Sequence, residues 1–232
     1  MMFTDGHPGW RGEEIVYEVK TGSRLYGLHD QDSDADVVSV FIESPRDLLG
    51  VADVKDAFQG RSGEKIDGAD VDRKVYSLRK LCKLIAKGSP SAFELLFVPE
   101  EAVLIDRGGY HAALRKLAPG LITAPVIKHY LGFVKGHRKR TGSLGFEKRR
   151  MHAARALLDA FEMMKTGGLV FPYEVEKREG LLDIRHGRLF LFDTWIEMVE
   201  DRMKDLPQER NTDAIDEFLV KSYRDHWEKS QG

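Results

Sequence analysis

The 232-residue chain, 42% hydrophobic and 32% charged, is long enough to bury one large core or two modest ones and is not of disordered composition. A single cysteine, Cys82, excludes an internal disulfide framework and any multi-cysteine zinc site. The net charge of −2 is uneven: residues 128–155 carry nine Lys and Arg against one acidic residue, while the segments on either side are net negative.

In chain order, EEIVYEVKTG alternates around Ile15, Tyr17 and Val19 and ends at glycine, which predicts a strand closed by a turn. The stretch RLYGL that follows has room for one or two helical turns. DVVSVFIES is a continuous β-branched and aromatic run broken at Ser44-Pro45, the pattern of a strand buried on both faces. VDRKVYS carries a weaker third strand signal. SLRKLCKLIAKGSP then places Leu78, Leu81, Cys82 and Ile85 on one helical face, with Ser77 as N-cap and Gly88 and Pro90 as the stop.

Beyond about residue 107 the β signals fade. GYHAALRKLA, APVIKHYLGFVKGH, FEKRRMHAARALLDAFEMMKTGG, RLFLFDTWIEMVEDRMKDLP and NTDAIDEFLVKSYRDHWEK all read as helices separated by Pro or Gly. Trp195, Phe190, Phe192 and Met198 are expected in helix core. The fold class expected is therefore α+β: a mixed β-sheet flanked by helices in residues 1–106 and an all-helical domain in residues 107–232 that completes a cleft.

Between the first two strands lies HDQDSDADVV, with aspartates at 30, 32, 34 and 36. An EF-hand is excluded, because a loop starting at Asp30 would need glycine where Ala35 stands and glutamate where Phe41 stands. On a strand, Asp34 and Asp36 project to one side while Val37, Ser39 and Phe41 face the other. Two carboxylates roughly 4 Å apart repel by about 4 kcal/mol at an effective dielectric near 20. A divalent cation resolves that repulsion, and oxygen-only ligands favour Mg²⁺ or Mn²⁺ over zinc. Asp30 and Asp32 are assigned to the approach loop as turn formers. Upstream, Gly22-Ser23 at the start of a helical turn offers exposed N–H groups, a hydroxyl and close backbone approach, the elements of a phosphate cradle.

GS…YGL…SDADVVSVFI resembles the active-site signature of the DNA polymerase beta superfamily of nucleotidyltransferases. More narrowly, the chain resembles the predicted nucleotidyltransferase family called RNA repair pathway DNA polymerase beta. Asp72 four residues before Tyr76, then Ser77-Leu78, Lys80, Gly88-Ser89-Pro90 and Glu94-Leu95-Leu96-Phe97, continue that pattern, as do Lys148, His152 and Arg155 later. Ser89 stands where the family usually has asparagine.

The resemblance implies metal-dependent transfer of an NMP from a nucleoside triphosphate to an acceptor hydroxyl. Asp34, Asp36 and Asp72 would be the catalytic and metal-binding carboxylates for two Mg²⁺ or Mn²⁺ ions. Gly22 and Ser23 would hold the NTP phosphates, and Lys80, Lys148, His152 and Arg155 would offset phosphate charge or hold the acceptor. Independently of the resemblance, Lys148, His152 and Arg155 fall at i, i+4 and i+7 on one helical stripe. The basic segment 128–155 reads either as a solvated loop and helix start or as a phosphate-attracting surface, and in the second reading it favours an RNA 3′ end, tRNA-like, as acceptor. A protein acceptor, giving nucleotidylation of toxin and antitoxin type, or a non-catalytic nucleotide or nucleic-acid binder of the same fold, are the alternatives. No apolar run reaches the roughly 20 residues that cross a bilayer, and MMFTDGHPGWRGEE lacks a signal pattern. No membrane partner and a cytoplasmic location are expected, and a small stand-alone enzyme of this kind suits a bacterial or phage origin.

Overall fold

The computed structural model describes residues 14–51, 54–138 and 145–229. Residues 1–13, and with them most of MMFTDGHPGWRGEE, lie outside the described residues, as do Lys139 and Arg140 of the basic segment. In chain order the first elements are β1 (Ile15–Lys20), α1 (Gly22–Tyr26), β2 (Ala35–Phe41), α2 (Pro45–Leu49), β3 (Ala57–Ile66), β4 (Ala69–Ser77) and α3 (Leu78–Lys87). After these come α4 (Pro90–Phe93), β5 (Val103–Asp106), α5 (Tyr110–Leu121), α6 (Ala124–Arg138), α7 (Phe146–Thr166), α8 (Val175–Arg185), α9 (Phe192–Arg202) and α10 (Asp213–Lys229). The class is α+β.

The chain divides into two compact units by contact, and neither is one continuous segment. The first comprises residues 1–83, 98–114 and 213–232, and the second 84–97 and 115–212. The boundary expected at 106/107 falls inside the stretch 98–114, which packs with the first unit.

The first unit is built on a five-stranded sheet of order β3-β4-β2-β1-β5. β1 pairs antiparallel with β2 and β5, and β3 with β4, while β2 and β4 run parallel. The mixed sheet follows from the connections: α2 and β3 together form the crossover that parallel strands require. On one face of the sheet, Ala35, Val37 and Val71 form a small apolar cluster, and Phe41, Phe58 and Val75 form another.

Between those clusters sits a polar lock. Ser39 Oγ donates to Glu18 Oε2 at 2.6 Å, and the Arg73 guanidinium donates to Glu18, to Ser39 Oγ at 3.2 Å and to Glu64 Oε2 at 2.5 Å. One residue from each of β1, β2 and β4 meets there, with Glu18 and Arg73 both under 10% exposed. A slip of one residue in any strand would turn its member of the trio to the other face and leave a buried charge uncompensated. The lock therefore fixes the register of the three central strands.

α3 begins where Ser77 Oγ accepts from the Lys80 backbone N–H at 3.1 Å, the N-cap expected from sequence, and its apolar positions Leu78, Leu81, Cys82 and Ile85 are all buried. α10 is tied to the end of β2: the Tyr223 hydroxyl donates to the Glu43 carboxylate and Trp227 Nε1 to the Glu43 carbonyl at 3.0 Å.

Within the described residues the second unit is helical. α7 buries Met151, Ala153, Ala154, Ala156, Leu157, Ala160 and Met163, and its four alanines let neighbouring helices approach closely; α6 and α8 supply the largest share of its contacts. Gly88 adopts φ +78, where a Cβ would come within 2.9 Å of the Val126 backbone, so glycine is required at the turn before α4. Ser89 closes that turn through its backbone, its N–H donating to the Leu84 carbonyl at 3.0 Å and its carbonyl accepting from Ala92 and Phe93. Phe192 is buried and Trp195 and Phe190 are half-buried, but Met198 is 42% exposed, because α9 turns Ile196 and Val199 inward instead.

Candidate active site

Every candidate phosphate- and metal-binding residue of the GS and SDAD stretches, with Asp72 and Lys80, belongs to the first unit. The arrangement starts where β1 leaves the sheet. The Thr21 N–H donates to the Asp36 carbonyl at 2.8 Å, extending the β1–β2 ladder by one bond before the chain turns into α1. Gly22 makes that turn at φ +67, the left-handed region. A Cβ built there would lie 1.9 Å from Asp36 Oδ2 and 2.5 Å from its Cγ, so the Asp36 carboxyl occupies the space a side chain would need. Glycine is thus required twice, for the turn and for contact between the backbone at the head of α1 and the carboxylate.

α1 continues through buried Leu25 and Tyr26 and ends at Gly27. Arg24 reaches across to the Ser33 carbonyl at 3.0 Å, closing the loop that carries the aspartates. Within it Asp30 and Ser33 form a turn: Ser33 Oγ donates to Asp30 Oδ1 at 2.6 Å and accepts from the Asp30 N–H at 3.0 Å. Asp30 has the turn-forming role that its position suggested, and Asp32 is exposed.

Asp34 stands one residue before β2 and Asp36 within it, both half-buried. In the parallel β2–β4 ladder Asp36 is directly opposite Asp72, with Val38 opposite Lys74 and Val40 opposite Tyr76. Asp36 and Asp72 therefore project to the same face, on strands about 4.8 Å apart. The polar lock of Glu18, Ser39 and Arg73 lies on the opposite face and holds this pairing in register.

Among the described residues no three His, Cys, Asp or Glu side chains gather closely enough to form a metal cluster. The donor set nevertheless suits a hard divalent cation. It consists of carboxylate oxygens alone, two of them paired across adjacent strands, and the third, Asp34, precedes the same strand by one residue.

Lys80 sits in the first turn of α3, its ammonium 3.3 Å from Asp56 Oδ1. In the second unit the Lys148, His152 and Arg155 stripe divides into three environments. Lys148 is exposed. His152 is partly enclosed, and burial, reinforced by the charges of Arg155, Lys148, His137 and Arg185, lowers its pKa to about 4, so the imidazole is neutral at physiological pH.

Arg155 is 5% exposed, and its guanidinium donates to Glu94 Oε1 at 3.0 Å and to Asp159 Oδ2 at 3.1 Å. Asp159, fully buried, also accepts from the Tyr173 hydroxyl at 2.7 Å and from Lys177 at 2.8 Å. Two parts of the sequence signature, Glu94 and Arg155, thus meet as a buried ion pair. The rest of the basic segment is partly neutralised: Lys135 pairs with Glu200 at 2.9 Å and Arg138 with Asp193 at 2.6 Å. Sequence reasoning missed Glu18 and Arg73, which hold the register beneath the site; an acid between Tyr17 and Val19 in β1 and a base between Val71 and Val75 on one face of β4 were the available signal.

A family model described as the RNA repair pathway DNA polymerase beta family matches residues 7–231. The chain is 27% identical over 172 residues to an uncharacterized 38.9 kDa protein from the nrdC-mobD intergenic region of Enterobacteria phage T4, covering 71% of this chain and 50% of that protein. It is 29% identical over 85 residues to the uncharacterized protein YcgL of Bacillus subtilis (strain 168), 37% of this chain and 31% of that one. The chain spans half or less of the length of these relatives. Among solved structures, a nucleotidyltransferase-like protein from Exiguobacterium sibiricum 255-15 aligns with 90% of this chain and 69% of its own, at 12% identity and a TM-score of 0.31.

Proposed function

Since the chain belongs to the RNA repair pathway DNA polymerase beta family, a nucleotidyltransferase family, we propose that it moves an NMP from a nucleoside triphosphate to an acceptor hydroxyl at an RNA 3′ end. The observation that carries this reading is the pairing of Asp36 with Asp72 on adjacent parallel strands, with the Gly22 backbone packed against the Asp36 carboxyl.

In this reading the backbone N–H groups and hydroxyl at Gly22-Ser23 donate to the β- and γ-phosphates and hold the leaving pyrophosphate. Asp34, Asp36 and Asp72 would hold two Mg²⁺ or Mn²⁺ ions, which when bound would offset phosphate charge and lower the pKa of the acceptor hydroxyl. Asp72, on the β4 side, orients that hydroxyl for in-line attack on the α-phosphorus. Lys148, exposed, and Lys80, half-buried and paired with Asp56, are the cations proposed to meet phosphate. His152, neutral at physiological pH, would contribute through hydrogen bonding, and Arg155 through the network that holds α7.

Incubation with labelled NTP, Mg²⁺ and RNA tests the reading: the wild-type protein labels RNA, and Asp36→Asn and Asp72→Asn do not while keeping their melting transitions. Substantial transfer by either variant would sink the assignment. A protein acceptor is the second reading, favoured by the ion pairs that neutralise Lys135 and Arg138 within the basic segment. Label entering protein extract rather than RNA selects it. Nucleotide binding without transfer under either Mg²⁺ or Mn²⁺ selects a non-catalytic binder. Among the described residues no single helix is long and apolar enough to cross a membrane.

A further inference from the structure

On β4 the residues that share the face of Asp36 are Asp70, exposed and paired with Lys65, and Asp72, Lys74 and Tyr76, all three half-buried, whereas Val71, Arg73, Val75 and Ser77 on the other face are buried. Burial on this face falls from β1 and β2, where Tyr17, Val19, Val38 and Val40 are enclosed, to β3, where Gln59 opposite Lys74 is exposed. The face opens over β4. The two basic residues of that strand contrast sharply. Arg73 is neutralised by Glu18 and Glu64, while among the described residues no carboxylate pairs with Lys74.

The strand order gives Lys74 a side. Gly22-Ser23 adjoins β1, Asp36 lies on the next strand and Asp72 on the one after, so cradle, central carboxylate and outer carboxylate follow one another across the sheet. In-line displacement puts the attacking oxygen opposite the leaving pyrophosphate. With pyrophosphate at the cradle, the acceptor lies over β4. Lys74 stands two residues beyond Asp72, about 6.6 Å along the strand, a span its flexible four-carbon stem can cover.

We propose that Lys74 is an acceptor-binding residue that holds the phosphodiester next to the attacking hydroxyl, so that the acceptor is a nucleic-acid strand and not a protein side chain. The assignment rests on the nucleotidyl-transfer reading for which side of the site is which. Its binding prediction can be tested without turnover.

The probe is a 5′-labelled single-stranded RNA oligonucleotide, with DNA of the same sequence as a parallel arm. Fluorescence anisotropy without nucleotide compares wild type, Lys74→Gln and Lys74→Arg across a salt series, each shown to be folded by circular dichroism. Lys74→Gln should weaken strand binding roughly five- to tenfold and reduce the salt slope by about one, with Lys74→Arg close to wild type. NTP affinity, read with a fluorescent ATP analogue, should stay unchanged. Equal strand affinity and slope in wild type and Lys74→Gln overturn the proposal, as does a loss confined to NTP binding. So does label transfer to protein that is indifferent to Lys74→Gln. Lys74-dependent strand binding by a protein that transfers no NMP removes the enzymatic reading and leaves the Lys74 contact standing.

Discussion

Gly22→Ala isolates the contact on which the candidate site turns. The new methyl would sit 1.9 Å from Asp36 Oδ2, 2.5 Å from Cγ and 2.7 Å from Cβ, so the Asp36 side chain must rotate away. Holding alanine in the left-handed region costs about 1–2 kcal/mol, and driving Asp36 off its rotamer about 0.5–1.5 kcal/mol more. The sum, about 1.5–3.5 kcal/mol, lowers the melting transition by roughly 3–14 °C for a chain of this size without unfolding it at room temperature. Catalysis should suffer far more, because a displacement of about 1 Å in a reacting group costs on the order of 100-fold. Transfer of labelled NMP at a temperature where the variant is folded, set beside its thermal melt, separates the two effects. In an Asp36→Ala background much of the clash is gone, and the same glycine substitution should destabilise less. A Gly22→Ala protein that keeps transfer within about threefold of wild type, or is destabilised equally in both backgrounds, would refute the reasoning.

Arg155→Met leaves Asp159 and Glu94 without their guanidinium and should cost about 3–5 kcal/mol in urea unfolding, reduced where Lys177 still serves Asp159; Lys148→Ala, on the exposed part of the same stripe, should change stability by less than about 0.5 kcal/mol. Equal stabilities of the two variants would contradict the buried network. His152, with its folded pKa lowered from 6.5 to about 4, contributes stability that is complete above pH 6.5 and is lost as pH falls from 6.5 towards 4, since the unfolded chain takes up the proton first. The loss is at most about 3.4 kcal/mol, and His152→Gln should flatten that part of the stability profile; an unchanged slope in the variant would assign it to other groups.

The parts of the molecule legible in sequence are those whose signals are local. β2 announced itself as an unbroken β-branched run, α3 by its cap and apolar spacing, and α7 by a long apolar stripe closed at Gly167. β3 escaped because it is an edge strand interrupted by Gly60 and Gly63, β5 because it has four residues, and α8 because only Leu181 and Ile184 among its eleven residues are buried. In the candidate site, Gly22, Ser23, Asp34 and Asp36 share one short stretch and were readable as a cradle followed by a carboxylate pair. Asp72 was named through resemblance alone, because cross-strand pairing leaves no mark on linear spacing. The helical stripe of Lys148, His152 and Arg155 was correct as periodicity, but periodicity does not distinguish a side chain facing solvent from one locked between Glu94 and Asp159.

The parallel pairing of β2 with β4 has a consequence for how such a chain can change over time. Joining two strands that run the same way obliges the polypeptide to travel back along the sheet, and here α2 and β3 make that return journey. Its length has no bearing on which residues face each other at the end, and lengthening a surface excursion costs little, about 0.6 kcal/mol for each doubling of a flexible loop. Insertions and deletions can therefore accumulate between Asp36 and Asp72 while the two carboxylates stay opposed. Related sequences should keep a nearly fixed interval from the glycine-serine pair to the first two aspartates and a variable one to the third.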